Sequence, residues 1–220
     1  MAAQRMRTTK QQYYTWSCAV LAAMFAEFAM AKEWLFDVYL DQSKIGQHHF
    51  KLSDAGVLTS TAKFNVKVLF INAYQYEHQA VERWNGDCLE KLEAQTVEDK
   101  KRINVKAQLS EQHLLVDDGK KQQKLPACSM TFAYWNPKIL EQSKLLNPQN
   151  AEWLETQFTP LGTEKITVRN EKISAERYKL EGRFAGKSKL NIALWYKGGL
   201  DWVALESTTP EGYTIRYQLR

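Results

Sequence analysis

Apolar and polar residues alternate with a period of two through most of the chain, and this alternation limits its possible folds more than any other feature. In "WLFDVYL", Trp34, Phe36, Val38 and Leu40 are separated by single residues. Successive side chains of a β-strand point to opposite faces, so this spacing predicts strands with one buried face. "YQYEHQAVERW" follows the same rule and places on one face Tyr74, Tyr76, His78, Ala80, Glu82 and Trp84.

Short turn signals separate the alternating runs. Asn85-Gly86 and Asp118-Gly119 are pairs that favour tight turns, and Gly198-Gly199 lies between two apolar runs. Strands joined by such short connections pair antiparallel. The sequence therefore predicts a mainly β protein, with about ten strands in an antiparallel curved sheet or open β-barrel.

One region departs from the alternation. Residues 136–155, "NPKILEQSKLLNPQNAEWLE", have helix-like spacing of their apolar residues. Asn136 suits a helix cap and Pro137 the first helical position, whereas Asn147-Pro148 interrupts a helix. We expect one or two short helices here, covering one side of the sheet.

The first 31 residues have the three parts of a secretory signal peptide. Arg5, Arg7 and Lys10 precede an apolar run at 16–25, and the following "AEFAMA" ends in the small-x-small pattern Ala29-Met30-Ala31. The apolar run is shorter than the roughly 20 residues that cross a bilayer, although an uncleaved anchor is the alternative. We predict cleavage after Ala31, a periplasmic location, and a single β-rich domain over residues 32–220.

Two cysteines, Cys88 and Cys128, remain after the predicted cleavage removes Cys18. In an exported protein such a pair favours a disulfide over free thiols, because the compartment is oxidising. The net charge of +5 is mild, and the basic residues are interspersed with acidic ones. This balance indicates no nucleic-acid partner, and at most peripheral contact with a membrane surface.

The sequence predicts no metal site and no cofactor. His48 and His49 are adjacent in a predicted strand, so they point to opposite faces and cannot share one metal in regular geometry. The chain also lacks a Gly-x-Ser-x-Gly elbow and a Gly-rich phosphate loop. His78 and Glu82 share a predicted strand face, and burial could tune both for acid–base catalysis. The simpler interpretation is a partly solvated sheet surface.

Aromatic residues are abundant and could line a cavity, since ligand pockets are mostly apolar with a few polar groups. Packing in the core is the alternative for each ring. Trp195 and Tyr196 are neighbours and should lie on opposite faces. The candidate ligand-lining residues are Tyr74, Tyr76, His78, Trp84, Trp195 and Trp202.

Four stretches carry a resemblance to a known family: "WLFDVYLDQSKIGQHHFKL", "FNVKVLFINAYQYEH", "ERWNGDCLEKLEA" and "LWYKGGLDWVALESTTPEGYTIRYQL". They resemble an uncharacterised family of exported proteobacterial proteins, known only as a domain of unknown function. The resemblance covers nearly all of residues 32–220 and implies a periplasmic β-rich protein, without an assigned activity. In outline, the expected sheet is also similar to periplasmic lipoprotein-carrier half-barrels, which hold acyl chains.

From these observations we expect a protein that binds a hydrophobic ligand, a lipid or acyl chain, on the concave face of its sheet, and that is not an enzyme. A structural or interaction protein of the cell envelope, without a small ligand, is the first alternative, and its partner would be an envelope protein. A hydrolase or isomerase that uses His78 and Glu82 is the second.

Overall fold

The computed structural model describes residues 31–68, 71–209 and 211–220. The predicted signal peptide lies outside the described residues, except for Ala31. The described chain forms fourteen strands and one short 3-10 helix. The strands are β1 (Lys32–Leu40), β2 (Ser43–Leu52), β3 (Val57–Val68), β4 (Ile71–Asn85), β5 (Cys88–Glu98), β6 (Lys101–Leu109), β7 (His113–Asp117), β8 (Gln122–Pro126), β9 (Lys144–Leu146), β10 (Trp153–Val168), β11 (Glu171–Phe184), β12 (Lys187–Lys197), β13 (Asp201–Thr208) and β14 (Thr214–Leu219), and the helix is Pro137–Glu141.

All fourteen strands belong to one antiparallel sheet, in the order β8-β7-β6-β5-β4-β3-β2-β1-β14-β13-β12-β11-β10-β9. The first and last strands pair near its centre, where Val38 lies opposite Tyr217. Within the described residues the edge strands β8 and β9 do not pair with each other, so the sheet is not closed. This confirms a mainly β, antiparallel fold, but fourteen strands replace the predicted ten. Strands as short as β8 and β9 carry too little alternation to be recognised.

The predicted helices over residues 136–155 are reduced to a single 3-10 turn. Asn136 caps it as expected, since its side chain accepts a hydrogen bond from the Lys138 N–H at 3.0 Å. The helix ends at Glu141, because the carbonyls of Gln142 and Ser143 accept hydrogen bonds from Thr156 of β10. Pairing with β10 therefore replaces further helix. The described part of the chain contains no helix of the length and apolarity that crossing a membrane requires.

Residues 127–143, here called the inner segment, connect the two edges of the sheet along its concave side. Met130, Ala133 and Ile139 of this segment are fully buried in the main core. The predicted disulfide is confirmed, because Cys128 at the start of the segment is bonded to Cys88 at the start of β5. An irregular segment, and not a pair of helices, thus covers the concave side.

Apolar residues pack on both faces of the sheet. The main core lies on the concave side and includes Phe36, Leu180 and Trp202. A smaller cluster on the outer face contains Ala175, Trp195 and Val203, packed against Ile166, Val168 and Ile173 of β10 and β11. The far end of the long β10–β11 hairpin therefore folds over the outer face.

The strand directions define two ends of the curved sheet. The turns β1–β2, β5–β6 and β13–β14 lie at one end, here called the open end. The inner segment starts from the opposite, closed end, where β8 finishes. There the Asn136 side chain donates a hydrogen bond to Asp87 in the β4–β5 turn, at 2.9 Å. The inner segment consequently fills the closed end and leaves the other end free.

Candidate ligand-binding cavity

The concave side of the sheet encloses a cavity of about 720 Å³ between the open end and the inner segment. This volume falls within the range of about 300–1,000 Å³ that is typical of small-molecule sites. Strands β2, β3 and β4 form one wall, and β12, β13 and β14 form another. The inner segment supplies the floor through Phe132, Tyr134 and Trp135.

The alternation of β3 and β4 builds the first wall. Tyr76, His78 and Ala80 of β4 point inward and are buried, while the residues between them are exposed. In the paired register, Ser60 of β3 lies opposite Ala80 and Phe64 lies opposite Tyr76. The rings of Phe64 and Tyr76 stack with their centroids 5.2 Å apart. Two neighbouring strands thus present a continuous aromatic surface to the cavity.

A histidine on β2 extends this surface and links three strands. The His48 ring stacks on Phe50 at 3.9 Å between centroids. Its Nε2 lies 2.7 Å from the Ser60 hydroxyl, and its Nδ1 lies 3.2 Å from the Tyr217 hydroxyl. Burial lowers the pKa of His48 well below its usual range, and the nearby His78 and His49 add to this effect. His48 is therefore neutral at pH 7.

The other cavity histidine is also neutral. His78 is 3% exposed, and its Nδ1 lies 2.9 Å from the Thr96 hydroxyl of β5. Burial lowers the pKa of His78 from 6.5 to about 4. Burial likewise raises the pKa of Tyr76 and of Tyr217, so both phenols keep their protons. The middle of the cavity therefore offers hydrogen-bonding groups without charge.

Glu82 lies at the floor of the cavity, next to the inner segment. It is 4% exposed and accepts a hydrogen bond from the Trp84 indole N–H at 2.9 Å. Burial raises the pKa of Glu82 from 4.5 to about 7, against the lowering effect of hydrogen bonds from Thr131 and Trp84. Because Thr131 belongs to the inner segment and Glu82 to β4, this carboxyl group links the inner segment to β4.

Charge around the cavity has one sign. Its acidic residues are Glu82 at the floor and Glu98 and Glu211 near the open end, and Glu98 accepts a hydrogen bond from the Tyr74 hydroxyl at 3.0 Å. Among the lining residues that the structure describes there is no lysine or arginine. The cavity thus has no cationic partner for an anionic group.

Three of the six predicted lining residues, Tyr74, Tyr76 and His78, line the cavity. Trp84 and Trp202 face the same side of the sheet but pack beneath the floor, and their rings contact Trp135 and Tyr134 at 5.5 and 5.2 Å.

Trp195 does not line the cavity. It is buried on the outer face beneath the end of the β10–β11 hairpin, where the Arg177 guanidinium lies 5.1 Å from its ring centroid. Its neighbour Tyr196 faces the concave side and donates a hydrogen bond to the Tyr134 carbonyl at 3.0 Å. The two residues lie on opposite faces, as predicted, but the face that carries Trp195 is covered by the chain itself.

Sequence reasoning missed His48, Ser60 and Tyr217 as members of one cluster. Each lies on a different strand, and the cluster forms because β2 pairs with both β1 and β3 while β14 pairs with β1. The alternation of each strand could have indicated an inward side chain at each position. The long-range pairing that brings the three together has no signature in local spacing.

The geometry gives little support to a hydrolase or isomerase that uses His78 and Glu82. His78 and Glu82 are four residues apart on one strand, so their Cα atoms are about 13 Å apart, too far to serve one reacting atom. Ser60 and His48 resemble a nucleophile and its base, but Ser60 is paired in the sheet with Phe50 and Ala80 on both sides. Its backbone therefore gives no free N–H groups for an oxyanion. No group of three or more His, Cys, Asp or Glu residues in the described chain is arranged to hold a metal ion.

Residues 36–220 match the family described as "Domain of unknown function (DUF6134)". The chain belongs to this family. The match confirms the resemblance to an uncharacterised β-rich family that the sequence carries. No curated protein matches the chain.

Solved structures share the fold of this DUF6134 chain. One of them is the crystal structure of a β-barrel-like protein of the DUF1849 domain of unknown function from Brucella abortus. The two chains superpose with a TM-score of 0.66 at 11% sequence identity, over 86% of this chain and 95% of that one. At this identity the likeness extends to the fold alone.

Proposed function

We propose that this protein binds a hydrophobic ligand, a lipid or an acyl chain, in the cavity on the concave face of its sheet. The observation that carries the proposal is the aromatic cavity of about 720 Å³. A purely structural envelope protein would need no such space, and the core would be filled to native density. The cavity therefore favours ligand binding over that alternative.

Burial of apolar surface supplies the binding energy in this proposal. Each methylene group of an acyl chain that leaves water contributes about 0.8 kcal/mol, so ten of them contribute roughly 8 kcal/mol before the cost of association. The stacked rings of Phe64 and Tyr76 and the ring of Tyr217 offer a wall for such a chain. Binding does not require any catalytic group.

The periplasmic location is part of the same proposal. It is supported by the signal-peptide features of residues 1–31 and by the disulfide between Cys88 and Cys128, since disulfides persist in oxidising compartments. A carrier or sensor of envelope lipids would work in that compartment.

A charge placed in the cavity wall tests the proposal. We expect Tyr76→Asp to weaken binding of the neutral probe N-phenyl-1-naphthylamine about tenfold or more, because a carboxylate in an apolar wall opposes an apolar ligand. Gln79→Asp is the matched control, since Gln79 lies on the same strand but is exposed on the outer face. Fluorescence titration measures both variants, and circular dichroism checks that both are folded. Equal probe affinities for the two folded variants would contradict the proposal.

A further inference from the structure

We propose that the ligand of this cavity is an uncharged amphiphile, whose hydroxyl, ester or amide group is held by Tyr76 and His78. Fatty acids and other anionic lipids are excluded from the site. The inference rests on the proposed function and names the chemical class of the ligand.

The first argument is the charge of the lining. An anionic group removed from water needs a cation or several hydrogen-bond donors, and is otherwise strongly disfavoured. The described lining offers carboxyl groups at both ends, Glu82 at the floor and Glu98 and Glu211 near the opening, and no lysine or arginine. Lys100 and Lys101 at the β5–β6 turn are exposed and do not line the cavity. An anion would therefore meet carboxyl groups at both ends of the cavity and no cationic partner between them.

The second argument is the set of polar atoms that are still available. His48, Ser60 and Tyr217 hydrogen-bond to one another. Within the described chain, by contrast, the Tyr76 hydroxyl and the His78 Nε2 have no hydrogen-bond partner, whereas His78 Nδ1 is engaged by Thr96. The two rings are inward neighbours on β4, with centroids 6.4 Å apart. Tyr76 and His78 form one polar position on the β4 wall. Another donor of the lining that has no partner among the described residues, the Trp135 indole N–H, lies at the floor.

The hydrogen-bonding chemistry of the Tyr76 hydroxyl and the His78 Nε2 determines which polar group of a ligand they can bind. A phenol donates and accepts a hydrogen bond, and the free nitrogen of a neutral imidazole does one or the other, according to its tautomer. A hydroxyl, ester or amide satisfies both partners without bringing a charge into the cavity. The surrounding rings of Phe64 and Tyr217 then pack against the hydrocarbon part.

Three amphiphiles with matched twelve-carbon chains test this inference. They are 1-lauroylglycerol, laurate and dodecyltrimethylammonium, each titrated at pH 7 against protein purified from cells that express the full sequence. Displacement of N-phenyl-1-naphthylamine gives the three affinities. We expect 1-lauroylglycerol to bind about tenfold or more tightly than laurate, because laurate must bury an unpaired charge.

Each other outcome overturns a defined claim. Tightest binding of laurate, or of dodecyltrimethylammonium, would refute the uncharged class but leave ligand binding in the cavity standing. If the probe binds but 1-lauroylglycerol does not, the uncharged ligand class is refuted, while ligand binding in the cavity still stands. Failure of the probe and of all three amphiphiles would refute the proposed function itself.

Single-residue variants test whether Tyr76 and His78 contact the polar group of the ligand, and whether the lack of a cation in the lining disfavours anions. Tyr76→Phe and His78→Leu should each lower the affinity for 1-lauroylglycerol roughly fivefold more than the affinity for the probe. This difference corresponds to the loss of one hydrogen bond. His49→Leu is the control, because His49 points to the opposite face and contacts Glu33. Val66→Lys, which adds a cation to the lining, should increase the affinity for laurate. The assignment would be contradicted if Tyr76→Phe and His78→Leu left the ratio of the affinities for 1-lauroylglycerol and the probe unchanged. It would also be contradicted if Val66→Lys gave no gain of laurate binding.

Discussion

Single residues of β4 show how burial in the cavity wall changes side-chain chemistry. His78 and Glu82 face the same side of the strand, and both lose contact with water. The same cause shifts their pKa values in opposite directions, to about 4 for His78 and about 7 for Glu82, because burial disfavours whichever form is charged. Both residues therefore tend toward neutrality and link stability to pH.

Glu82 should make the protein less stable as the pH rises. Its pKa in the folded state is above that of an unfolded chain, so its contribution is complete below about pH 4.5 and is lost as the pH rises through 7. The shift corresponds to about 3 kcal/mol. We expect Glu82→Gln to flatten this dependence, measured as the free energy of unfolding in urea at pH 5, 6, 7 and 8. A wild-type slope retained in the variant would contradict the assignment.

His78 should act in the opposite sense. Its pKa is lowered in the folded state, so its contribution is complete above about pH 6.5 and is lost as the pH falls through 4. We expect His78→Gln to reduce the loss of stability between pH 6.5 and 4 by about 3 kcal/mol at most. Urea denaturation at pH 4, 5 and 6.5 measures it. Gln79→Ala, an uncharged position exposed on the outer face of the same strand, is the matched control and should leave the acid-side slope unchanged.

At the scale of elements, the inner segment depends on buried contacts more than on its own secondary structure. Ile139 in its single 3-10 turn is fully buried in the main core. We expect Ile139→Ala to lower the free energy of unfolding by about 2–5 kcal/mol, through lost burial and the cavity left behind. Leu161→Ala is the control, because Leu161 is half exposed on β10, and it should change stability by about 0.5 kcal/mol or less. Chemical denaturation compares the two, and equal effects would show that the segment is not anchored.

The disulfide fixes the same segment at its other end. It joins residues 40 positions apart, Cys88 in β5 and Cys128 in the inner segment. In the chain-entropy model, closing such a loop stabilises the fold by roughly 3–4 kcal/mol. We expect the Cys88→Ser, Cys128→Ser double variant to lose about that much in urea denaturation. A double variant as stable as the oxidised wild type would contradict a structural role.

The elements also show what the sequence could and could not predict. The alternation in β1 and β4 correctly indicated their inward residues, because the period of a strand is a local property. The helical spacing around Leu145 and Leu146 was misleading, since these residues pair with Leu154 and Trp153 of β10. Trp195 was assigned to the cavity because alternation defines two faces of a strand without stating what covers them.

At the scale of the whole molecule, the cavity follows from the topology. The chain meanders outward from the central β1–β14 pair in both directions, and the inner segment joins the two edges across the concave side. Because that segment starts at the closed end, space remains toward the open end. The Brucella abortus protein shares this fold at 11% sequence identity.

Native mass spectrometry of the protein, purified gently from the periplasm of cells that express the full sequence, tests ligand binding most directly. We predict a mass that exceeds the mass of residues 32–220 with one disulfide by the mass of a lipid or acyl compound, which organic solvent releases. The Tyr76→Asp variant, purified in the same way, should lack that added mass. A wild-type protein that carries no added mass, and gains none when incubated with 1-lauroylglycerol, would contradict the account.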